Sequence, residues 1–175
     1  MSVWLFGYGS LIWHPDIPYE ARQPARLDGW KRRFWQGSHD HRGLPHSPGR
    51  VVTLIESPGS FCDGVAYLVD QEALASTFET LDNREKNGYR RYPVTLRLPD
   101  PNGKTPAVTY IAPEGNYAYL GPAPVTELAA QIRASQGPSG SNADYLLALA
   151  RALRELDAED PHVFELEAQL MSNTV

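Results

Sequence analysis

The chain lacks most of the features that would place it in a large functional class. It carries one cysteine, Cys62, in 175 residues, which excludes an internal disulfide framework and points to a reducing, cytoplasmic setting. It has no surplus of basic charge. Sixteen Lys and Arg stand against 21 Asp and Glu, for a net charge of −5, and the basic residues form no long run. Broad binding to nucleic acid or to an anionic membrane surface is therefore not expected. No stretch approaches the roughly 20 apolar residues of a membrane span. The N-terminus has no basic segment ahead of its short apolar run, and Phe6-Gly7-Tyr8 is no cleavage site, so no signal peptide is expected. Repeats and low-complexity segments are also missing.

What is present suffices for a folded domain. A hydrophobic content of 42% supports a core, and the length fits one compact domain over residues 1–175, a monomer by default. Strand-like segments come first, at 3–8, 30–36 and 50–56, then 61–68 after a Pro58-Gly59 turn. A helix is expected over 71–81, with Asp70 as N-cap and Ala73, Leu74, Phe78 and Leu81 at helical spacing. Two strands follow, 93–98 and 105–111, joined by a Pro101-Asn102-Gly103 turn. The last third reads as helices. One covers 127–135. The second is capped by Ser141 and carries a stripe of Leu146, Leu149, Leu153 and Leu156. The third starts at Pro161 behind Asp160, with Val163, Leu166 and Leu170 on its apolar face. Strands first, with helices inserted and appended, give an α+β fold with a small closed or strongly curved sheet.

Four segments are candidates for chemistry. The run Val3-Trp4-Leu5-Phe6-Gly7-Tyr8-Gly9-Ser10-Leu11 is an apolar strand cut by two glycines around a tyrosine. Such a turn presents bare N–H donors to an anion such as a carboxylate, or it is only a bend between strands. No glycine sits two residues after Ser10, so the nucleophile-elbow pattern fails. In 83–91, Glu85 is the one carboxylate among Arg84, Lys86, Arg90 and Arg91. Burial would raise its pKa and the cations would lower it; a solvated turn is the alternative. His39, His41 and His46 lack an accompanying carboxylate or cysteine set with metal spacing, so no metal is assigned. Cys62 reads as a small buried hydrophobe, and Tyr117 and Tyr119 as possible pocket walls.

Taken together, the motifs are more specific. Phe6-Gly7-Tyr8-Gly9-Ser10-Leu11-Ile12-Trp13, Arg32-Arg33-Phe34-Trp35-Gln36-Gly37-Ser38, Pro48-Gly49-Arg50-Val51-Val52-Thr53-Leu54, Gly64-Val65-Ala66-Tyr67, Arg84-Glu85-Lys86-Asn87-Gly88-Tyr89-Arg90, Tyr119-Leu120-Gly121-Pro122-Ala123-Pro124 and Gly137-Pro138-Ser139-Gly140 occur in this order. The chain thereby resembles the ChaC family of glutathione-specific γ-glutamylcyclotransferases over nearly its whole length. The resemblance implies a small β-barrel of the γ-glutamylcyclotransferase type with packed helices. It implies Glu85 as catalytic acid/base and Leu5, Phe6, Gly7, Tyr8, Gly9, Ser10 and Leu11 as the segment that holds the γ-glutamyl group. Arg50 and Tyr119, with Arg33 and His39, are the candidates for the cysteinylglycine end. Lys86-Asn87-Gly88 departs from the Lys-Gly-Gly of relatives, which is expected to alter only the turn. The implied reaction converts glutathione to 5-oxoproline and cysteinylglycine without cofactor or metal. The alternatives are a cyclotransferase for other γ-glutamyl peptides or amines, and a non-catalytic regulatory module linked to cation transport.

Overall fold

The computed structural model describes residues 1–99 and 103–172. Five strands close into a barrel in the order β1-β3-β2-β4-β5. They are β1 (Ser2–Gly7), β2 (Ala21–Ser38), β3 (Gly49–Asp70), β4 (Arg90–Arg97) and β5 (Lys104–Ile111). Between β3 and β4 lies helix α1 (Gln71–Arg84). After β5 come α2 (Val125–Ala134), a minimal hairpin of β6 (Gln136–Gly137) and β7 (Gly140–Ser141), α3 (Asn142–Glu155) and α4 (Pro161–Ser172). The barrel is mixed: β1 runs antiparallel to β3, with Phe6 opposite Ala66, and parallel to β5, with Phe6 opposite Thr109. The α+β barrel expected from the order of elements is the architecture found.

The strands differ from the sequence expectation at their ends and joints. Segment 30–36 is the second half of an 18-residue β2, and 50–56 and 61–68 are one 22-residue β3. Pro58-Gly59 does not reverse the chain. Trp30 pairs with Glu56 and Asp28 with Phe61, so residues 57–60 bulge out opposite Gly29 and the strand continues, bent. β4 begins three residues earlier than expected and β5 one residue earlier. Of the expected connecting turn, Pro101 and Asn102 lie outside the described residues.

Helix starts follow their caps. The Asp70 carboxylate accepts from the Glu72 N–H, the Ser141 hydroxyl from the Asp144 N–H and the Asp160 carboxylate from the Val163 N–H. α1 runs one turn past its expected end, to Arg84, which makes Glu85 its C-cap. α2 stops at Ala134, before Gly137-Pro138, because Gln136 and Gly137 turn into the small hairpin. Leu156 caps α3 rather than extending its buried stripe. The main core lies inside the barrel and under α2–α4, with Phe6, Phe34, Leu54, Leu146, Leu149 and Leu166 among its members. A second cluster of Leu5, Leu11, Val69, Leu81 and Tyr110 fixes α1 to the barrel wall. Among the described residues no helix is long and apolar enough to cross a membrane.

Candidate active site

The β1 strand ends at Gly7, and the chain turns through Tyr8 and Gly9 into a single 3₁₀ turn, Ser10–Ile12. Its position is fixed from below and from the side. Arg32, fully buried on β2, donates from Nε to the Tyr8 carbonyl at 2.9 Å and from Nη1 to Asp160 at 2.6 Å. Arg84, at the end of α1, donates from Nη2 to Ser10 Oγ at 2.9 Å and from Nη1 to the Pro15 carbonyl at 3.2 Å. Gly9 is required by close approach. A Cβ there would stand 3.0 Å from Val52 Cγ2 and 3.1 Å from the Tyr145 hydroxyl. Among the described residues, the N–H groups of Gly9, Ser10 and Leu11 meet no backbone acceptor.

Glu85 follows Arg84 directly, and the helix end that carries it is pinned. Its own N–H donates to the Leu81 carbonyl at 2.8 Å. His41 Nε2 lies 3.0 Å from the Arg84 carbonyl and Nδ1 2.9 Å from Ser139 Oγ. Since a carbonyl only accepts, the proton on Nε2 points at Arg84. The next turn is tied to the end of β2. Asn87 Nδ2 donates to the Gly37 carbonyl, Gln36 Nε2 to the Asn87 carbonyl, and the Tyr117 hydroxyl to Asn87 Oδ1 at 2.6 Å. Gly88 has φ +96°, and a Cβ there would overlap Asn116 and Gln36. Asn87 therefore does more than alter the turn: its side chain bonds β2 and the Tyr117 loop.

Glu85 and the glycine loop meet in one place. A cavity of about 450 Å³ is bordered by Ser10, Trp13, His14, Asp40, His41, Arg42, Arg84, Glu85, Asn87, Tyr89 and Tyr145. A small recess of about 40 Å³ adjoins it, walled by Phe6, Tyr8, Gly9, Ser10, Leu11 and Val52 together with Tyr110. Ser10, Glu85, Tyr89 and Tyr145 border both. The Glu85 side chain keeps 17% of its exposure, and its nearest cation is Arg84 Nε at 3.9 Å, too far for a hydrogen bond. Burial raises its pKa above the usual carboxylate range, against the charges of Arg84 and then His41, with Asp40 adding to the rise. Of the cations in the sequence motif, Arg84 acts on it.

Three tyrosines surround this carboxylate, Tyr8 and Tyr145 buried and Tyr89 partly buried, and two are committed. Tyr8 donates its hydroxyl proton to the Tyr110 carbonyl at 2.6 Å, and Tyr89 to the Val52 carbonyl at 2.7 Å. Tyr145 differs: its oxygen accepts from the Val52 N–H at 3.2 Å. Among the described residues its own proton has no acceptor. Burial pushes the Tyr145 pKa far up, against the Val52 N–H, so the proton stays on. Trp13 and Phe34 meet its ring edge-on at 5.4 and 5.8 Å.

The remaining candidates lie apart. Leu5 packs under α1 and Gly7 against Leu11, and neither borders the cavity. Arg50 is buried and structural: it binds Gln131 and the carbonyls of Phe34 and Gly121. Tyr119 bridges to Gln36, Arg33 donates to the Arg32 carbonyl and His39 approaches Asn87; none borders the cavity. Cys62 is buried, receives a hydrogen bond from Arg32 and has its pKa raised to about 11, chiefly by burial. Trp13, His41, Arg42, Asn87, Tyr89 and Tyr145 border the cavity but were not named as site residues from the sequence.

Comparison with known proteins places the chain in one family along nearly its whole length. The model of the family described as ChaC-like protein matches residues 3–173. A glutathione-specific γ-glutamylcyclotransferase 1 from Danio rerio is 42% identical over 177 residues, covering 98% of this chain and 90% of that protein. Its namesake from Homo sapiens is 42% identical, covering 93% and 75%. The crystal structure of a γ-glutamyl cyclotransferase specific to glutathione from yeast superposes with a TM-score of 0.91 at 31% identity, covering 97% of this chain and 96% of that one.

Proposed function

We propose, for a chain that belongs to the ChaC-like family, that it degrades glutathione by internal aminolysis, with Glu85 as the proton carrier. In this reaction the α-amino nitrogen of the γ-glutamyl unit bonds to its own γ-carbonyl carbon. The C–N bond to cysteine breaks, 5-oxoproline closes as a five-membered ring, and cysteinylglycine leaves with the proton given up by the amine. No water, metal or redox partner enters the balance. The single observation that carries this reading is the shared border of the recess and the cavity, where the Glu85 carboxylate adjoins the 8–11 loop.

Each task has a fitting group. The attacking amine has a solution pKa of about 8, so much of it is charged near neutrality. A carboxylate whose pKa burial has raised is a better-matched base for it than an ordinary one, and positioned proton transfer contributes roughly 10²–10⁴-fold. The free N–H groups of Gly9, Ser10 and Leu11, beside the Arg84 guanidinium, suit the α-carboxylate of the same unit. Gripping both ends of the γ-glutamyl chain holds it in a ring-closing rotamer. The charge that develops on the γ-carbonyl oxygen needs a donor, and the uncommitted Tyr145 hydroxyl supplies one. All these groups come from one chain over residues 1–175, so a single-domain monomer suffices.

The test is incubation with glutathione and detection of 5-oxoproline, wild type beside Glu85→Gln. Product from the wild type and a fall of at least a hundredfold in the variant are expected. Turnover at near wild-type rate in the variant would remove Glu85 from the mechanism. γ-Glutamyl-alanine and γ-glutamyl-lysine, run in parallel, should be poor substrates.

A further inference from the structure

The cavity holds more charge than the cyclisation uses. Arg84 is occupied by Ser10 and Pro15. Arg42 is not occupied in this way. It borders the cavity half-buried, donates from Nη1 to the Ser141 carbonyl at 3.1 Å, and lies 5.6 Å over the Tyr145 ring. Among the described residues, no carboxylate approaches it within ion-pair distance, and Asp144 acts on it only from farther off, whereas Arg26, Arg32, Arg84, Arg91, Arg97, Arg151 and Arg154 each have a carboxylate in contact. A guanidinium withdrawn from water without a counter-charge is costly to keep unless an anion completes it.

The geometry points to Arg42 as the recognition site for the C-terminal carboxylate of the substrate, which makes the protein selective for γ-glutamyl peptides ending in a free acid. This rests on the cyclisation reading above. With the γ-glutamyl head in the recess, two further residues of extended backbone reach about 7 Å outward. That direction leads into the larger cavity, past Tyr145, whose ring Arg42 covers. Asp40 is the other anion on that wall, and it lies 3.8 Å from His41, so the free cationic end of the cavity belongs to Arg42. Its fork of donors suits a carboxylate bidentately.

The experiment compares glutathione with glutathione glycinamide, which lacks only the terminal negative charge. Wild type is expected to favour the acid roughly 10–100-fold in kcat/KM, through KM. Arg42→Met is expected to lose that preference, through a rise in KM for the acid that the amide does not share. Arg42→Lys should restore part of the preference. Equal acid-over-amide preference in wild type and Arg42→Met would overturn the assignment. Calorimetric binding of the same two ligands to Glu85→Gln and Glu85→Gln/Arg42→Met separates the two readings. Acid-selective binding that needs Arg42, without turnover in the wild type, would overturn the cyclisation alone. Turnover in the wild type with equal affinity for acid and amide would overturn the role of Arg42 alone.

Discussion

The ion pairs that join β2 to β3 and β4 and the charges that border the cavity are arranged on opposite principles. Along the strands, Arg26 Nε meets Asp63 Oδ1 at 2.8 Å and Arg97 Nη2 meets Asp28 Oδ2 at 2.7 Å. In the cavity, among the described residues, the one ion-pair contact of Glu85 is Arg84 Nε at 3.9 Å, and Arg42 has a carbonyl and an aromatic ring with no carboxylate within ion-pair distance. The Arg97–Asp28 pair is about half exposed and the Arg26–Asp63 pair partly buried, but both are mutually satisfied, and exposed pairs of this kind contribute little to stability. The cavity charges are withdrawn from solvent and incompletely matched, and they raise the energy of the empty protein. The difference marks where a ligand completes what the protein leaves open.

Substituting members of each set sharpens this contrast. Glu85→Gln should lower kcat by about 10²–10⁴-fold while stabilising the fold at neutral pH. The sign follows from its raised pKa. Between the unfolded and folded values the native state binds more protons, so stability falls as pH rises through that window. The glutamine variant escapes the loss, and a thermal melt of both proteins at pH 4 and pH 8 checks it. In the wild type the acid limb of kcat/KM should lie above the ordinary carboxylate range for the same reason.

Arg32→Met should cost about 3–5 kcal/mol in urea unfolding, because it strands the Asp160 carboxylate. It also frees the Tyr8 carbonyl, so activity should fall with KM rising. Tyr145→Phe should keep the fold and lower kcat about a hundredfold or more if the hydroxyl donates to the developing oxyanion; an unchanged kcat would return that task to the loop amides. His162 gives a smaller, pH-dependent effect. Its Nε2 accepts from the Phe34 N–H at 3.0 Å, and burial lowers its pKa to about 4. Here the unfolded chain binds more protons, so stability should fall as pH drops from about 6.5 to 4, by on the order of 2 kcal/mol. His162→Gln should flatten that slope. Arg97→Gln, at the exposed strand pair, should change stability by less than about 1 kcal/mol and leave turnover untouched.

The sequence carried the parts of the site that are local in the chain. The Tyr8-Gly9-Ser10-Leu11 loop was legible because glycines mark a turn by their chemistry. Glu85 stood out as the one carboxylate among cations at a helix end. Tyr145 was not legible, because it sits on a helix whose leucine stripe reads as packing, and only the fold brings it over Gly9. Arg42 and His41 lay in a polar loop where the histidines drew attention and no metal was assigned, and their partners Ser139, Ser141 and Arg84 are remote in sequence. Arg50 shows the converse: a cation within a motif looked available, yet Gln131 and two buried carbonyls hold it away from the cavity. In the barrel, Pro58-Gly59 signalled a turn, and the long pairing of β2 with β3 overrode it as a bulge.

The parallel seam between β1 and β5 joins the first strand of the barrel to its last. The 8–11 loop has no closed barrel to lean on until residues 104–111 have been made. Tyr145, which closes the recess, comes later still. A nascent chain that stalls before α3 has emerged therefore lacks the Tyr145 wall of the recess. The proposed site is therefore complete only once the last third of the chain has been made.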